Sequence, residues 1–375
     1  MSNTPIKTII ARQEKLSELI NQYGYDAVAI NPSPNLVYLT GMHFHLSERP
    51  VICIFTSNNP PVLVLPELES AKLKDIGFNL HAFTYTEDIS TWQNTFSNTV
   101  NSLGLKTGSV AVDDRGLRML ELRLLQSSLP NSTFDDAEAL FADLRMCKDK
   151  IEFTAMQSAV DMAQEAMELL LQEVEVGMTE KEIASRLVQN SFKLGSSAEL
   201  PFSPIVASGP NSANPHATPT DRKIQYGDLL LIDWGVNVDG YFSDLTRTFS
   251  IREPSTQQTE IFNIVHQANQ AAHSVVKPGI TAGEVDKAAR DVIEKAGYGK
   301  FFITRTGHGL GMQVHEPPYM RAGNERVLKP GMVFTIEPGI YIPDQDGVRI
   351  EDDVIVTENG IHSFSDMSRE MRIIR

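Results

Sequence analysis

The chain has almost no cysteine. Cys53 and Cys147 are its two, far apart among 375 residues, and they supply no disulfide framework. Two buried thiols suit a reducing compartment. The chain also lacks any basic run. Its 33 lysines and arginines stand against 48 aspartates and glutamates, for a formal net charge of −15. Neither nucleic acid nor an anionic membrane is therefore expected as a partner. No apolar run approaches membrane-spanning length. The opening Met1-Ser-Asn-Thr-Pro has no basic stretch followed by an apolar core, so no signal peptide is expected. A cytoplasmic protein is the default reading. The apolar and charged fractions, 41% and 22%, are those of an ordinary soluble globular protein, and the length predicts two domains.

The first 135 residues alternate short apolar runs with helical patterns. Residues 10–20 have helical spacing. Asp26-Ala-Val-Ala-Ile30, Val51-Ile-Cys-Ile-Phe55, Val62-Leu-Val-Leu65 and Ser109-Val-Ala-Val112 read as strands. Helical stretches near 67–75, 89–103 and 115–127 fall between them, which predicts an α/β domain with a largely buried sheet. Residues 130–136 read as a turn-rich break, and the charged segment 136–150 reads as a connector. A long helix is predicted over 151–172. Strands, Gly-Pro turns and two helices alternate from about 200 onward. Asp353-Val-Ile-Val-Thr-Glu-Asn359-Gly360-Ile reads as a hairpin, because Asn-Gly favours a tight primed turn.

Two stretches about a hundred residues apart repeat one pattern. Gly227-Asp-Leu-Leu-Leu-Ile-Asp233-Trp-Gly235 and Gly331-Met-Val-Phe-Thr-Ile-Glu337-Pro-Gly339 each run from glycine through apolar residues to a carboxylate at the same offset. An Asp-Gly turn and a second acid follow at matched offsets. Asp239-Gly240 leads to Asp244, and Asp346-Gly347 leads to Glu351. Upstream, Val176-Gly-Met-Thr179-Glu-Lys-Glu182 resembles Lys277-Pro-Gly-Ile-Thr281-Ala-Gly-Glu284. Both are Thr-x-x-Glu boxes opening an apolar-periodic helix. The C-terminal region thus reads as two copies of one helix-plus-strands unit facing each other.

One acid at a strand end is ordinarily solvated. Four at matched offsets on apolar strands need a cation or another strong partner to stay ionised. Asp233, Asp244, Glu337 and Glu351 are therefore candidate metal ligands, with His308 in Thr306-Gly307-His308-Gly309-Leu-Gly311 as a fifth. The flanking glycines would let backbone approach a metal or substrate. An oxygen-rich set with one imidazole suits Mn²⁺, Fe²⁺, Co²⁺ or Zn²⁺. Four carboxylates exceed what one ion needs, whereas a pair of ions roughly 3.5–4 Å apart would use them all. Two further histidines join the set. His216 lies in the turn-rich Ser208-Gly-Pro-Asn-Ser-Ala-Asn-Pro-His216 loop, and His315 follows His308 in Val314-His315-Glu316-Pro317. Either could polarise a carbonyl, move a proton or hold a tetrahedral intermediate. His43, His45, His81, His266, His273 and His362 lack such context and read as surface or packing residues.

At these residues the chain resembles the metallopeptidases of the pita-bread fold, within the Xaa-Pro branch of prolidase and aminopeptidase P. Pro204 to His216, Ile232-Asp233-Trp-Gly, Ser243-Asp244-Leu-Thr-Arg-Thr248, Thr306-Gly-His308-Gly-Leu-Gly, Val314-His315-Glu, Thr335-Ile-Glu337-Pro-Gly and Val348-Arg349-Ile-Glu351-Asp-Asp carry the likeness. Asn35-Leu-Val-Tyr38-Leu-Thr-Gly41 resembles the N-terminal domain of the same branch. The resemblance implies an α/β creatinase-like N-terminal domain over residues 1–140. It implies an α+β pita-bread catalytic domain with an internal pseudo-two-fold repeat over residues 148–375.

It further implies two divalent ions, Mn²⁺ first, with Co²⁺, Zn²⁺ or Fe²⁺ as alternatives. Asp233 would hold one, His308 and Glu337 the other, and Asp244 and Glu351 would bridge. Glu337 would also shuttle a proton, with His216 and His315 as catalytic and substrate-contacting groups and with Arg349 and Tyr319 at the substrate. The implied reaction is hydrolysis of a small peptide before proline by a homodimer. Some prolidases carry an arginine where this chain has Tyr319, with Arg321 two residues further on. Action on longer Xaa-Pro peptides therefore stays open beside dipeptide cleavage. A metal-free creatinase-like hydrolase and a non-catalytic binding protein on the same fold are the other classes.

Overall fold

The computed structural model describes residues 4–74, 76–113 and 115–374. Asp75, the end of the helix predicted over 67–75, lies outside them, as does Met1–Asn3 of the opening segment. The chain separates into two compact units, Met1–Arg145 and Met146–Arg375.

The first unit is built on a six-stranded mixed sheet. Its order is His81–Tyr85, Val62–Pro66, Ile52–Phe55, Ala27–Ile30, Ser109–Val112, Thr133–Asp136. The four inner strands are the apolar runs read from the sequence, and Ile52, Ile54, Val64 and Val110 pack with Phe96 of the Trp92–Ser102 helix. The two strands absent from the sequence reading are the two edges. Thr133–Asp136, expected as a break, pairs parallel with Ser109–Val112. Its side chains are largely exposed, so no apolar run announces it. His81–Tyr85 is exposed in the same way. The expected connector over 136–150 also differs. Glu138–Arg145 is a helix that buries Leu140, Phe141, Ala142 and Leu144, because the apolar residues between its charges fall on one face. Over 67–75 the described residues form 3₁₀ turns, Glu67–Leu73.

The second unit shows the duplication in backbone detail. The helix pair Lys150–Leu171 and Glu180–Leu194 is followed by the strands Ile205–Ser208, Leu229–Trp234 and Leu245–Ile251. The pair Thr256–Val275 and Ala282–Lys295 is followed by Gly307–Gly309, Glu316–Met320, Val333–Ile336 and Asp352–Val356. Thr179 and Thr281 both close the predicted capping boxes with Glu182 and Glu284. Just before each box a glycine N–H reaches a matching carbonyl, Gly177 to Ile224 and Gly279 to Leu328, both at 3.0 Å. Isolated bridges Thr179–Lys223 and Thr281–Val327 repeat as well. Each half also carries a two-stranded ribbon, Asn237–Val238 with Tyr241–Phe242 and Gly339–Tyr341 with Gly347–Arg349. In the first ribbon the Asp239-Gly240 turn has positive φ at both residues, 52° and 85°, as a primed hairpin turn requires.

The two halves are stitched where the acids lie. Thr246 pairs with Asp233 in one sheet and bridges to Glu351 of the other. Behind them, buried Asn269 of the Thr256–Val275 helix donates from Nδ2 to Ile336 O and to Ile350 O, each at 3.1 Å. Those carbonyls immediately precede Glu337 and Glu351. One amide therefore spaces the two strands that present both glutamates. On the other half, buried Trp234 donates its indole N–H to Ala163 O at 2.8 Å and fixes the strand end that carries Asp233. Asn269→Leu leaves two buried carbonyls without a donor, and each such loss costs about 1–3 kcal/mol. Denaturant unfolding of the metal-free variant is expected to show about 2–4 kcal/mol of lost stability. A loss below about 0.5 kcal/mol would mean that the amide is not holding these strands.

Candidate metal centre and its cavity

Alternation along strands brings the acids to one seam. Asp233 ends Leu229–Trp234, Asp244 precedes Leu245–Ile251, Glu337 follows Val333–Ile336 and Glu351 precedes Asp352–Val356. All four line one cavity of about 610 Å³ with His308, His216, His315 and Arg349. Ligand atoms of Asp244, His308 and Glu351 lie within 4.8 Å of one another. Glu337 joins them, its Oε1 3.2 Å from His308 Nε2, and Asp244 Oδ2 lies 3.6 Å from the same nitrogen. His308 and His315 meet edge to face with ring centres 4.3 Å apart. Tyr319 is not among the residues lining this cavity; its ring lies against Arg305, which is.

The glycines around His308 have a different use from the one expected. A Cβ on Gly307 would stand 1.9 Å from Thr335 O, and one on Gly309 would stand 2.3 Å from Pro317 O. Their bareness lets neighbouring strands close on the histidine strand. The His308 N–H then donates to Thr335 Oγ1 at 3.1 Å, and that hydroxyl also reaches Glu337 Oε1 at 3.3 Å.

The electrostatics separate acids that have a cation from acids that do not. Burial alone would raise Asp352, but Arg247 and then His273 and Arg369 outweigh it and hold the group well below the usual carboxylate range. Arg247 Nη2 lies 2.7 Å and Arg369 Nε 2.6 Å from its oxygens. Asp233 has Arg349, whose Nη2 donates to its Oδ2 at 2.5 Å, yet burial still carries its pKa upward. Asp244 has no such partner and is raised well above its ordinary value by burial first and then by Glu351, Asp233, Asp353 and Glu337. Glu351 is raised well above its ordinary value too, by burial and then by Glu337 and Asp233. Burial pushes Glu337 up to about 7. His308 is pushed well below the usual imidazole range by burial, then by His315 and Arg305, which leaves the neutral ring that ligates metals.

The residues fit a divalent-metal site on these observations. Carboxylates crowd within bonding reach of one neutral imidazole, Asp233 Oδ1 is buried without a partner among the described residues, and the charges are not balanced by local cations. Three residues that sequence reasoning left aside now take clear places. Asp353 is fully buried, and its Oδ2 accepts the Asp244 N–H at 2.9 Å. The period of two along Glu351-Asp352-Asp353 was its signal, since it sets the first and third acids on one face. Arg247 donates to Glu351 O at 2.6 Å while pairing with Asp352. Arg305 lines the cavity opposite no acid of its own. Arg349, expected at the substrate, is 3% exposed and is engaged by Asp233, Thr246, Tyr341 and Pro215 O.

Carboxyl groups whose folded-state pKa is raised bind protons more tightly in the folded state. Their contribution is complete below the ordinary carboxylate range and is lost as pH rises toward about 7, where Glu337 titrates. Chelator-treated protein is therefore expected to melt several degrees lower near pH 8 than near pH 5. A divalent ion is expected to raise the melting temperature more at the higher pH, where the acids are free to bind it. A metal-free protein whose melting temperature is the same at both pH values would contradict this balance of charge.

Comparison with known proteins agrees with the geometry. Residues 154–358 match the model of metallopeptidase family M24, and residues 12–147 match the creatinase/prolidase N-terminal domain. The chain is 36% identical to a Xaa-Pro dipeptidase of Lactobacillus helveticus over 363 residues, 96% of this chain and 98% of that one. Among solved structures, a dipeptidase from Pyrococcus horikoshii OT3 superposes with a TM-score of 0.91 at 38% identity, over 96% of this chain and 99% of the other. A recombinant prolidase from Thermococcus sibiricus gives 0.92 at 33%, over 99% and 100%. The matches run the length of both compact units, and with them the pita-bread architecture and the metal-dependent hydrolase class follow: this chain belongs to metallopeptidase family M24, joined to a creatinase/prolidase N-terminal domain.

Proposed function

We propose that this protein is a Xaa-Pro dipeptidase that uses two divalent metal ions to hydrolyse the peptide bond before proline. The observation that carries the reading is the convergence of Asp233, Asp244, His308, Glu337 and Glu351 in one cavity with His216 and His315, in a chain whose full length resembles dipeptidases. In this reading residues 1–140 form the creatinase-like domain and residues 148–375 the catalytic domain. Mn²⁺ is the first choice of metal, a homodimer the expected assembly and the cytoplasm the expected location. The chain's two cysteines, which supply no disulfide framework, support the last of these.

The protein's own groups suit this chemistry. Asp233 would hold one ion, His308 and Glu337 the other, and Asp244 and Glu351 both; when bound, the ions acidify water and polarise the scissile carbonyl. Arg349 fixes Asp233 by a short charge-assisted bond, and Thr246 Oγ1 donates to Glu351 Oε2 at 2.6 Å while accepting from Arg349 Nε at 3.0 Å. The carboxylates are thereby oriented before substrate arrives. A bond before proline is a tertiary amide without N–H, so its nitrogen must gain a proton to leave. A Glu337 carboxylate oxygen, facing the cavity beside His308, can take a proton and return it to that nitrogen. His315 and His216 are exposed on the cavity lining. Partial burial of its ring against the cavity wall, then Arg305 and His216, keeps His315 below the usual imidazole range. Its ring N–H can donate to the oxygen on which charge develops.

Ala-Pro, Gly-Pro and Ala-Pro-Ala assayed side by side with Mn²⁺ test the reading. Turnover of the dipeptides that vanishes with chelator and returns with metal is expected. Hydrolysis by fully metal-free protein would defeat it, and a strong preference for Ala-Pro-Ala would favour aminopeptidase P action instead.

His308→Ala and His315→Ala should fail differently. His308→Ala is expected to lose metal first, by metal analysis, because it removes the single nitrogen from an oxygen-lined set. His315→Ala is expected to keep both metals and lose ~10²–10³ in kcat, the usual cost of one oxyanion donor. Equal metal loss in both variants would make His315 a ligand.

A further inference from the structure

His216 lines the cavity from a loop rather than from a strand. The loop lies between Ile205–Ser208 and Leu229–Trp234, and the His216 side chain is exposed. A loop has many backbone states to lose, so the place of its imidazole depends on what fastens the chain on either side. Here the fastening is a buried carboxylate.

Glu180 is the first residue of the helix Glu180–Leu194 and is 0% exposed. Its Oε1 accepts from Ser208 N and Ser208 Oγ, both at 2.7 Å. Its Oε2 accepts from Thr220 N at 3.0 Å and from Thr220 Oγ1 at 2.6 Å. Asn211 Nδ2 lies 3.1 Å from each oxygen. One oxygen thus holds the entry to the loop and the other holds its exit, with His216 between them. Arg222 reaches the carboxylate through Ser208 Oγ, to which its Nη1 donates at 2.7 Å. A buried anion is kept by the donors it collects, and those of Glu180 all come from this loop. The middle of the loop is tied to the other half of the unit. Gly347 N donates to Ser212 Oγ at 2.8 Å, and Arg349 Nη1 to Pro215 O at 3.2 Å.

The second half holds its own histidine by the same device. Asp286 lies on the Ala282–Lys295 helix and is 1% exposed. Its Oδ1 accepts from Thr306 N at 3.2 Å and Thr306 Oγ1 at 2.8 Å, two residues before His308. It pairs with Arg290 at 2.9 Å, which donates in turn to Phe302 O at 3.1 Å and Thr304 O at 2.9 Å. In both halves a buried acid on the second helix takes the N–H and the hydroxyl of one residue ahead of the histidine.

We propose that Glu180 is a positioning residue, whose carboxylate sets His216 at the cavity by clamping both ends of its loop. The inference rests on the Xaa-Pro reading above, in which His216 meets the substrate. Both oxygens are needed. Gln has nearly the same volume, but whichever oxygen is replaced by NH₂ leaves a donor facing a main-chain N–H, that of Ser208 or that of Thr220. Donor then meets donor, and one end of the loop is released.

The experiment measures Ala-Pro hydrolysis with Mn²⁺, metal content and thermal melting for wild type, Glu180→Gln, His216→Ala and the double variant. Glu180→Gln should keep the wild-type metal content and lower kcat/KM ~10–10²-fold, since a shift of about 1 Å at a reacting group can cost that much. In the His216→Ala background the same substitution should cost less than about twofold, because no imidazole is left to place. Thr220→Val removes one hydroxyl donor and keeps the N–H. It should show a smaller loss with the same dependence on His216, and it decides the matter if Glu180→Gln does not fold. An unchanged kcat/KM, an equal loss with and without His216, or a fall in metal content that matches the fall in rate would overturn the assignment. Ala-Pro turnover by wild type would then leave the Xaa-Pro reading standing. No Ala-Pro turnover in metal-loaded wild type would instead remove both.

Discussion

Mutual repulsion among buried carboxylates is the constraint around which the second unit is arranged. Asp244, Glu351 and Asp353 are 4%, 1% and 0% exposed, and Asp233 and Glu337 stand beside them. Two unit charges a few Å apart repel by several kcal/mol at the effective dielectric of a protein, and each also loses its water. Such a cluster persists only if it is protonated, paired or coordinated. The fold provides one arginine for Asp233 and two for Asp352 and none paired directly with Asp244 or Glu351. Cation placement thus sets the fully paired Asp352 apart from the acids that line the cavity.

The internal duplication explains how so costly a cluster can be assembled with accuracy. Each half is a capped helix pair followed by strands, and each delivers one acid from a strand end and one from beyond an Asp-Gly turn. Each half already sets its own two acids against each other, Asp233 with Asp244 and Glu337 with Glu351. The Asn269 amide spaces the strands leading to the second pair, and the Thr246–Glu351 bridge brings the two pairs together.

Rigidity recurs around the reacting groups for the same reason. The absence of side chains at Gly307 and Gly309 lets strands press on His308, and the Asp286–Arg290 pair fastens the segment leading into it. Preorganised donors and charges act on a transition state without a cost of reorganisation at that moment. The two exposed histidines, His216 and His315, line the same cavity.

Much of this was legible in the sequence. Matched glycine–strand–acid spacings specified the repeat, because period two along a strand and the Thr-x-x-Glu cap are local rules that tertiary contacts seldom override. The inner strands of the first sheet were legible as apolar runs because both their faces are buried. The edge strands His81–Tyr85 and Thr133–Asp136 were not, since pairing on one side leaves their side chains in water. The helix Glu138–Arg145 was hidden by its own charges. At the site, the sequence supplied the chemical types but not their partners. That Arg349 serves Asp233, that Asp353 holds the Asp244 N–H and that Arg305 faces the cavity without an acid depend on residues tens to more than a hundred positions apart. No periodicity encodes those distances. They are set only when the two halves close on one another and each charge finds, or fails to find, its counterion.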